Sequence, residues 1–263
     1  MRAPLHGIRI IDLSAVVSGP MATGILADQG ADVIKIEPPK GDLTRVIGPA
    51  QGDISALFAS INRGKRSLVL DLKHPAGKAI LRELLAGADA LVENFRPGAL
   101  DRLGFSFEVL QQINPRLVCL SIAGFGHSGP MAGYRVYDPV IQAVSGFADA
   151  HPDPDTGEPR LLQTLLCDKV TALTAAQALT AALLARGPEG RGQRIELSML
   201  DAALAFARKH LGNKPVTALV FTHSHADHFG GARGVVEITL EVREHNTPAR
   251  ALYEGAGFQL RRA

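Results

Sequence analysis

Short runs of β-branched residues alternate with helical segments through the first half of this 263-residue chain. The runs predict strands at Ile8–Leu13, Asp32–Glu37, Ser67–Leu72, Ala90–Glu93 and Leu117–Ile122. Between them, helical spacing or a proline in the first turn predicts helices at Met21–Gln29, Pro75–Ala86 and Phe107–Ile113. This alternation favours the α/β class, with an open and mostly parallel sheet and helices on both faces.

Composition limits the classes of protein that fit. Apolar residues make up 46% of the chain, as in a globular protein, and the net charge of +2 is too small to indicate a nucleic-acid partner. No apolar run reaches membrane-spanning length, and the N-terminal residues MRAPLHGIRIIDL lack the long apolar core of a signal peptide. Cys119 and Cys167 lie in apolar runs, which favours reduced thiols. We therefore expect a cytoplasmic protein with no membrane or nucleic-acid partner.

A long helix is predicted over Leu165–Arg186, because Val170–Ala185 contains no charge, glycine or proline. Apolar residues surround this helix on all sides, so we expect it to be buried on most of them. Asp168 lies at its front end, where a carboxylate meets free backbone N–H groups and the positive end of the helix dipole. From this segment alone Asp168 is either a capping residue or a nucleophile.

Clusters of polar and basic residues flank the predicted strands. Because the carboxyl ends of parallel strands share one edge of a sheet, most of these clusters are expected near one another. They are rich in cations and in glycine turns, which suits a ligand that carries phosphate groups. The clusters are Lys35–Arg45, Asn62–Lys73, Glu93–Phe105 and Gly124–Pro130.

The same segments, in this order, resemble a known family. Residues from Leu5 to about Phe206 resemble the N-terminal half of the class III CoA-transferases, a family that also contains the α-methylacyl-CoA racemases. The resemblance implies a Rossmann-like sheet that is incomplete, since a second, smaller domain of the family is missing from this truncated version. The matching segments are GIRIIDLS…SGPMATGILADQGADVIKIEPPKGD, NRGKRSLVLDLK, VENFRPGALDRLGF, GFGHSGP and RGQRIELSMLDAAL.

This resemblance implies a reaction and the residues that perform it. Asp168 matches the catalytic aspartate, which attacks an acyl-CoA thioester and forms a covalent intermediate. Coenzyme A is then a substrate, passed from an acyl-CoA to a carboxylic acid acceptor. A homodimer is possible, but we expect the interlocked dimer of the family to be lost with the missing segments. The residues expected to bind CoA are Val16, Val17, Ser18, Leu70, Lys73, Asn94, Phe95, Arg102, Arg135 and Tyr137.

The position before Asp138 separates transferases from racemases within the family. Racemases have a histidine there as an acid/base group, whereas this chain has Tyr137. A phenol with an ordinary pKa of about 10 transfers protons poorly at neutral pH, which favours the transferase over the 2-methylacyl-CoA racemase. His127 lies in the glycine-rich turn, at a position that the family does not use.

A second resemblance begins after Phe206. Lys214–Val236 contains THSHADHFGG, which is similar to the H-x-H-x-D-H signature of metallo-β-lactamase-like proteins and most of all to alkyl sulfatases. The metal ligands that it implies are His223, His225, Asp227 and His228. Too little chain follows to complete a two-metal site, so we expect at most weak zinc binding. A zinc-dependent hydrolase is nevertheless an alternative function.

The last segment, Ile238–Arg262, resembles the C-terminal end of acyl-CoA N-acetyltransferases, which implies a CoA contact for Asn246 and a general-acid role for Tyr253. We therefore predict a chimeric chain that ends in a short α/β extension. Its parts are a CoA-transferase-like domain over residues 1–206, a metallo-β-lactamase-like fragment over 207–236 and an acetyltransferase-like fragment over 237–263. A composite that binds CoA without turnover is a further alternative.

Overall fold

The computed structural model of the protein describes residues 2–188 and 190–210. Strands β1 to β8 span, in chain order, Arg9–Asp12, Asp32–Glu37, Ala50–Gln51, Ile54–Ser55, Arg66–Val69, Ala90–Glu93, Val118–Ala123 and Arg194–Ser198. Helices α1 to α9 span Ser18–Asp28, Ala56–Asn62, Pro75–Ala86, Ala99–Arg102, Phe107–Ile113, Asp138–Val144, Phe147–Ala150, Leu166–Arg186 and Met199–His210, and a 3-10 helix covers Leu43–Val46.

These residues form two compact units. The first contains the described chain up to Ala123 together with Thr171–Leu197. The second contains Gly124–Val170 and the described residues from Ser198 onward. Each unit is therefore assembled from two separate stretches of sequence.

Six strands form one open sheet in the order β5–β2–β1–β6–β7–β8. Strand β1 pairs in parallel with β2 and β6, and the pairs β2–β5 and β6–β7 are parallel as well. Strands β3 and β4 form a separate antiparallel hairpin. The predicted open and mostly parallel α/β sheet is confirmed. Its strand order reverses between β1 and β6, and doubly wound sheets bind ligands beyond the carboxyl ends of the strands at that point.

The core of the sheet is built from alternate strand residues. Ile11 of β1 is level with Ile34 of β2 and Leu91 of β6, and all three pack with Leu81 and Leu85 of α3. The intervening strand residues are buried too, among them Ile10, Val33, Ala90 and Val92. Because successive strand side chains point to opposite faces, both faces of the sheet are covered, which explains the continuous apolar runs in the sequence.

Most predicted elements match the structure closely. Four are confirmed at both ends, namely Asp32–Glu37, Pro75–Ala86, Ala90–Glu93 and Phe107–Ile113. Helix α1 differs, because it begins at Ser18 and not at Met21. Pro20 falls in its first turn, where a helix has no carbonyl partner for the missing N–H, so the proline does not delay the start of the helix.

Helix α8 confirms the predicted long helix and places Asp168 in its first turn. The helix is buried on most sides, as predicted, and one exposed stripe follows the spacing of one residue every three or four along Lys169, Leu173, Gln177, Ala181 and Leu184. Leu184 is 83% exposed. None of the helices in the described part of the chain combines the length and hydropathy that a membrane-spanning segment requires.

Candidate functional site

The loop after β1 lies at the edge where the strand order reverses. Residues 13–17 connect β1 to α1, and Asn94 directly follows β6. The Asn94 side chain donates from Nδ2 to the carbonyl of Ala15 at 2.7 Å and accepts the Ala15 N–H at Oδ1 at 2.9 Å. These paired hydrogen bonds join the carboxyl ends of β1 and β6.

Two buried ion pairs accompany this loop. The Nζ of Lys65 lies 3.0 Å from Asp12 Oδ2, and the Nζ of Lys35 lies 2.9 Å from Asp42 Oδ2. Each of these four side chains is at most 2% exposed. Lys35 also donates to the carbonyl of Ser14 at 2.9 Å. A buried charge is tolerated only when it is paired, and here each ammonium group has a carboxylate within contact distance.

The ionised form of Asp12 is favoured by its surroundings. Burial opposes ionisation, but the charges of Lys65 and Lys35 outweigh it, together with the hydroxyls of Ser14 and Thr23. The pKa of Asp12 is lowered to about 2 as a result. Asp12 is therefore an acceptor only, and it holds the start of the loop by accepting the N–H of Ser14 at 2.9 Å.

Val16 has an unusual backbone conformation within this loop. Its φ is +66°, and no other non-glycine residue among those that the structure describes has a positive φ. The N–H of Val16 is donated to Asp42 Oδ1 at 3.4 Å. The turn also needs Gly19, because a Cβ there would collide with the side chain of Ser14. The loop is thus folded tightly back against the first turn of α1.

The residues of the first unit that are expected to bind CoA lie after the carboxyl ends of the strands. Val17, Ser18 and Leu70 are buried, and Leu70 belongs to the core of the sheet. Their side chains therefore pack inside the protein, so contacts to a ligand would come from their backbone. The remaining five residues are partly or fully exposed, and they are Val16, Lys73, Asn94, Phe95 and Arg102.

Glu93, the last residue of β6, holds the segment that contains Asn94 and Phe95. Its Oε2 accepts the N–H of Phe95 at 2.7 Å, and its Oε1 accepts the hydroxyl of Ser121. Burial raises the pKa of Glu93, although both hydrogen bonds act in the opposite direction. Glu93 is buried, so its carboxyl group fixes the backbone of this segment from inside the protein and does not face solvent.

Sequence reasoning did not predict the buried polar residues beneath the loop. These residues are Asp12, Lys35, Asp42, Lys65 and Glu93. The signal that could have found three of them is a charged residue inside an apolar strand, as in IRIID, DVIKIE and ALVE. A charge at such a position requires a buried partner, which suggests a network at the end of the strand.

In the second unit, Asp168 is buried at the start of α8. The Asp138 carboxylate, in the first turn of α6, accepts the backbone N–H of Asp168 at Oδ2, at 2.8 Å. The Nε2 of Gln142 donates to the Asp138 carboxylate, and it also donates to the carbonyl of Thr164 at 2.9 Å. The Oε1 of Gln142 accepts the N–H of Leu162 at 2.8 Å. The side chains of α6 therefore determine where α8 begins.

Two other predicted residues of the second unit precede α6. Arg135 and Tyr137 are exposed, with Tyr137 at 59%. Cys167, beside Asp168, is buried, and burial raises the pKa of its thiol to about 12, with the nearby Asp138 carboxylate adding to the effect. A thiol in this state is a poor nucleophile, so the carboxylate of Asp168 is the candidate reactive group.

The predicted metal ligands His223, His225, Asp227 and His228 lie outside the described residues, as do Asn246 and Tyr253. Across residues 2–188 and 190–210, no group of three or more His, Cys, Asp or Glu side chains is arranged to hold a metal ion.

The fold and these residues define an α/β protein with a doubly wound sheet, a candidate ligand-binding edge and a buried carboxylate at a helix start. Comparison with protein families matches residues 5–235 to CoA-transferase family III. The chain belongs to this family. The match continues past residue 206, the predicted end of the CoA-transferase-like domain, and through most of the segment that resembles metallo-β-lactamases. The boundaries at residues 206 and 236 stay predictions.

Similar proteins agree with this assignment. The chain is 46% identical over 211 residues to the acetyl-CoA:oxalate CoA-transferase of Acetobacter aceti, covering 80% of this chain and 54% of that protein. It is 42% identical over 212 residues to the succinate–glutarate CoA-transferase of Agrobacterium fabrum, covering 78% and 53%. The crystal structure of a CAIB/BAIF family protein from Brucella suis superposes with a TM-score of 0.76 at 38% identity, covering 80% and 57%. The chain thus spans about half the length of the relatives it matches.

Proposed function

We propose that the protein transfers CoA from an acyl-CoA to a carboxylic acid through a covalent intermediate on Asp168. The observation that supports this proposal most strongly is the match to CoA-transferase family III over most of the chain. Relatives named for oxalate, succinate and glutarate transfer suggest that the acceptor is a small dicarboxylic acid.

The proposed reaction proceeds by successive acyl exchanges. The Asp168 carboxylate attacks the thioester carbonyl, which forms a mixed anhydride and releases the CoA thiolate. The thiolate then attacks the aspartyl carbonyl, releases the first acid and leaves an aspartyl-CoA thioester. The acceptor carboxylate displaces the thiolate from Asp168, and the thiolate finally attacks the acceptor carbonyl, which frees Asp168 and the new acyl-CoA. Each step is an ordinary nucleophilic displacement at a carbonyl carbon.

The position of Asp168 supports this role. The carboxylate lies in the first turn of a 21-residue helix, where the positive end of the helix dipole attracts it. Its backbone N–H is fixed by Asp138, which limits the movement of the first turn. Preorganisation of this kind favours attack, because the nucleophile does not have to be ordered during the reaction.

The exposed residues of the first unit support binding of the CoA portion. Lys73 and Arg102 provide cations suited to phosphate groups, and both are exposed. Asn94 and Phe95 provide an amide and an aromatic ring at the edge where the strand order reverses. We propose that these residues bind CoA while Asp168 performs the chemistry.

Trapping of the intermediate tests the proposal. We expect the chain, incubated with acetyl-CoA and then with hydroxylamine, to acquire a hydroxamate on Asp168 that peptide mass spectrometry detects. We also expect transfer of CoA to oxalate, succinate or glutarate to be lost in Asp168→Ala. The matched control is Asp201→Ala, since Asp201 is also an aspartate in the first turn of a helix. Failure to label Asp168, or equal activity of both variants, would contradict the proposal.

The other functions have less support. Tyr137 occupies the position of the racemase histidine, and the ligands of the zinc-dependent hydrolase alternative lie outside the described residues. Exchange of the α-proton of a 2-methylacyl-CoA without CoA transfer would favour the racemase. Binding of CoA with no turnover would favour the inactive composite.

A further inference from the structure

We infer that Asp42, with its partner Lys35, is a positioning residue that keeps the loop after β1 in the conformation that receives CoA. The inference rests on the proposed function, because it assumes that this loop contacts the CoA portion of the substrate. Neither residue belongs to the set expected to touch CoA.

Side chains form an unusual share of the hydrogen bonds to the backbone N–H and C=O groups of the loop. Four side chains from separate parts of the first unit bond to five backbone groups of three consecutive residues. The bonds join Ser14 N–H to Asp12, Ser14 C=O to Lys35, Ala15 N–H and C=O to Asn94, and Val16 N–H to Asp42. Backbone groups are more often satisfied by other backbone groups, so this loop depends on its side-chain partners.

The conformation held by these bonds is one that the sequence does not favour. Val16 has a φ of +66°, in the left-handed region where a β-branched residue is strained. A strained residue persists only when its surroundings hold it in place. Asp42 bonds directly to the Val16 N–H, and Lys35 fixes both Asp42 and the preceding carbonyl of Ser14.

The strained residue is also the loop residue whose side chain a ligand can reach. Val17 and Ser18 are buried, whereas Val16 is partly exposed. Among the three loop residues expected to contact CoA, Val16 therefore offers the accessible side chain. Stability alone does not explain the Lys35–Asp42 pair, because buried ion pairs are often replaceable by apolar residues without loss.

The consequence for binding follows from the population of the competent conformation. Without Asp42, Val16 would return mostly to ordinary backbone conformations, and the left-handed form would fall about tenfold in population. The apparent affinity for CoA falls by the same factor, because only the competent fraction binds. A glycine at position 16 adopts either conformation readily, so the dependence on Asp42 would largely disappear.

A double-mutant cycle tests this coupling in the full chain. CoA binding is measured by calorimetry for the parent, Asp42→Ala, Val16→Gly and the double variant. We expect Asp42→Ala to weaken CoA binding about tenfold in the parent and less than about threefold in the Val16→Gly background. We expect Asp42→Asn, which keeps an acceptor oxygen for the Val16 N–H, to bind CoA more tightly than Asp42→Ala.

Thermal unfolding without ligand provides an independent measurement. Asp42→Ala is expected to lower Tm by less in the Val16→Gly background than in the parent. The control is Asp89→Ala, which breaks a pair with Arg186 at 2.8 Å at the amino end of β6 and should lower Tm equally in both backgrounds. Equal effects of Asp42→Ala in the two backgrounds, on Tm or on affinity, would overturn the inference. Failure of the parent to bind CoA would overturn the proposed function and, with it, the role of the loop in binding.

Discussion

Asp12 shows how one residue can be fully buried and still charged. It ends a strand of apolar residues, and its carboxylate faces the ammonium groups of Lys65 and Lys35. The hydroxyls of Ser14 and Thr23 also donate hydrogen bonds to this carboxylate. The electrostatic gain from these partners exceeds the cost of burial, so the carboxylate is held ionised, and its effect on stability depends on pH.

Loss of the Asp12 charge should change the acid stability of the protein. Its folded pKa of about 2 lies below the ordinary value of 3.8, so its stabilisation is present above about pH 4 and is lost as the pH falls toward 2. The contribution is about 2 kcal/mol. We expect the free energy of unfolding of Asp12→Asn, measured in urea at a series of pH values, to vary less over this window than that of the parent.

The matched control for this prediction is an exposed aspartate. Asp28→Asn removes a surface pair with Arg63, in which both side chains are largely exposed, and should lower the free energy of unfolding by less than about 1 kcal/mol. Because Asp12 is intact in this variant, the steep acid dependence of the parent should remain. The same slope in Asp12→Asn as in the parent would contradict the assignment.

Among the elements, α6 and α8 are connected through Gln142. Its side chain joins Asp138 to the backbone of Leu162 and Thr164, just before α8 begins. Gln142→Leu removes the acceptor of the Leu162 N–H and one donor each from Asp138 and the Thr164 carbonyl, which should lower the free energy of unfolding by about 1–3 kcal/mol. Since Asp138 fixes the N–H of Asp168, we also expect kcat for CoA transfer to fall more than KM rises.

Gln111 provides the comparison for this variant. It is a half-buried glutamine on α5 whose Nε2 donates to the carbonyl of Leu117 at 3.2 Å, in the first unit. Gln111→Leu should reduce stability without lowering kcat. If both glutamine variants lower kcat to the same extent, Gln142 is only a structural residue.

The two sides of α8 should respond differently to substitution. Leu179 is fully buried, whereas Leu184 is 83% exposed on the opposite face. We expect Leu179→Ala to lower the free energy of unfolding by about 2–5 kcal/mol and Leu184→Ala by less than about 0.5 kcal/mol, as measured by urea unfolding. A large loss in Leu184→Ala would show that this face is covered in solution.

Over the whole molecule, local sequence patterns predicted the elements better than their arrangement. Alternating runs were enough to predict a parallel sheet, since each strand–helix–strand unit is local in sequence. The pairing of β1 with β6 joins segments nearly eighty residues apart, and no local pattern encodes it. The division into two units was not predicted either, because the continuous helix α8 contributes residues to both.

The candidate site was only partly predictable for the same reason. Motif resemblance suggested Asp168, the exposed Lys73 and Arg102 and the partly exposed Asn94, and their roles stay predictions. It did not show that Val17, Ser18 and Leu70 have buried side chains, because burial depends on packing across the sheet. Nor did it find the Lys35–Asp42 pair, because the contacts of this pair with the loop after β1 form only in the folded protein.

The loop after β1 has a consequence for the order in which the protein assembles. Its partners Lys35, Asp42 and Asn94 follow it in the sequence, and Asn94 joins only when β6 pairs with β1. During synthesis, the loop therefore cannot reach its final shape until about eighty further residues have left the ribosome. The edge expected to receive CoA is therefore completed only after β1 has paired with β6. A correctly formed loop implies that this central pairing of the sheet is already in place.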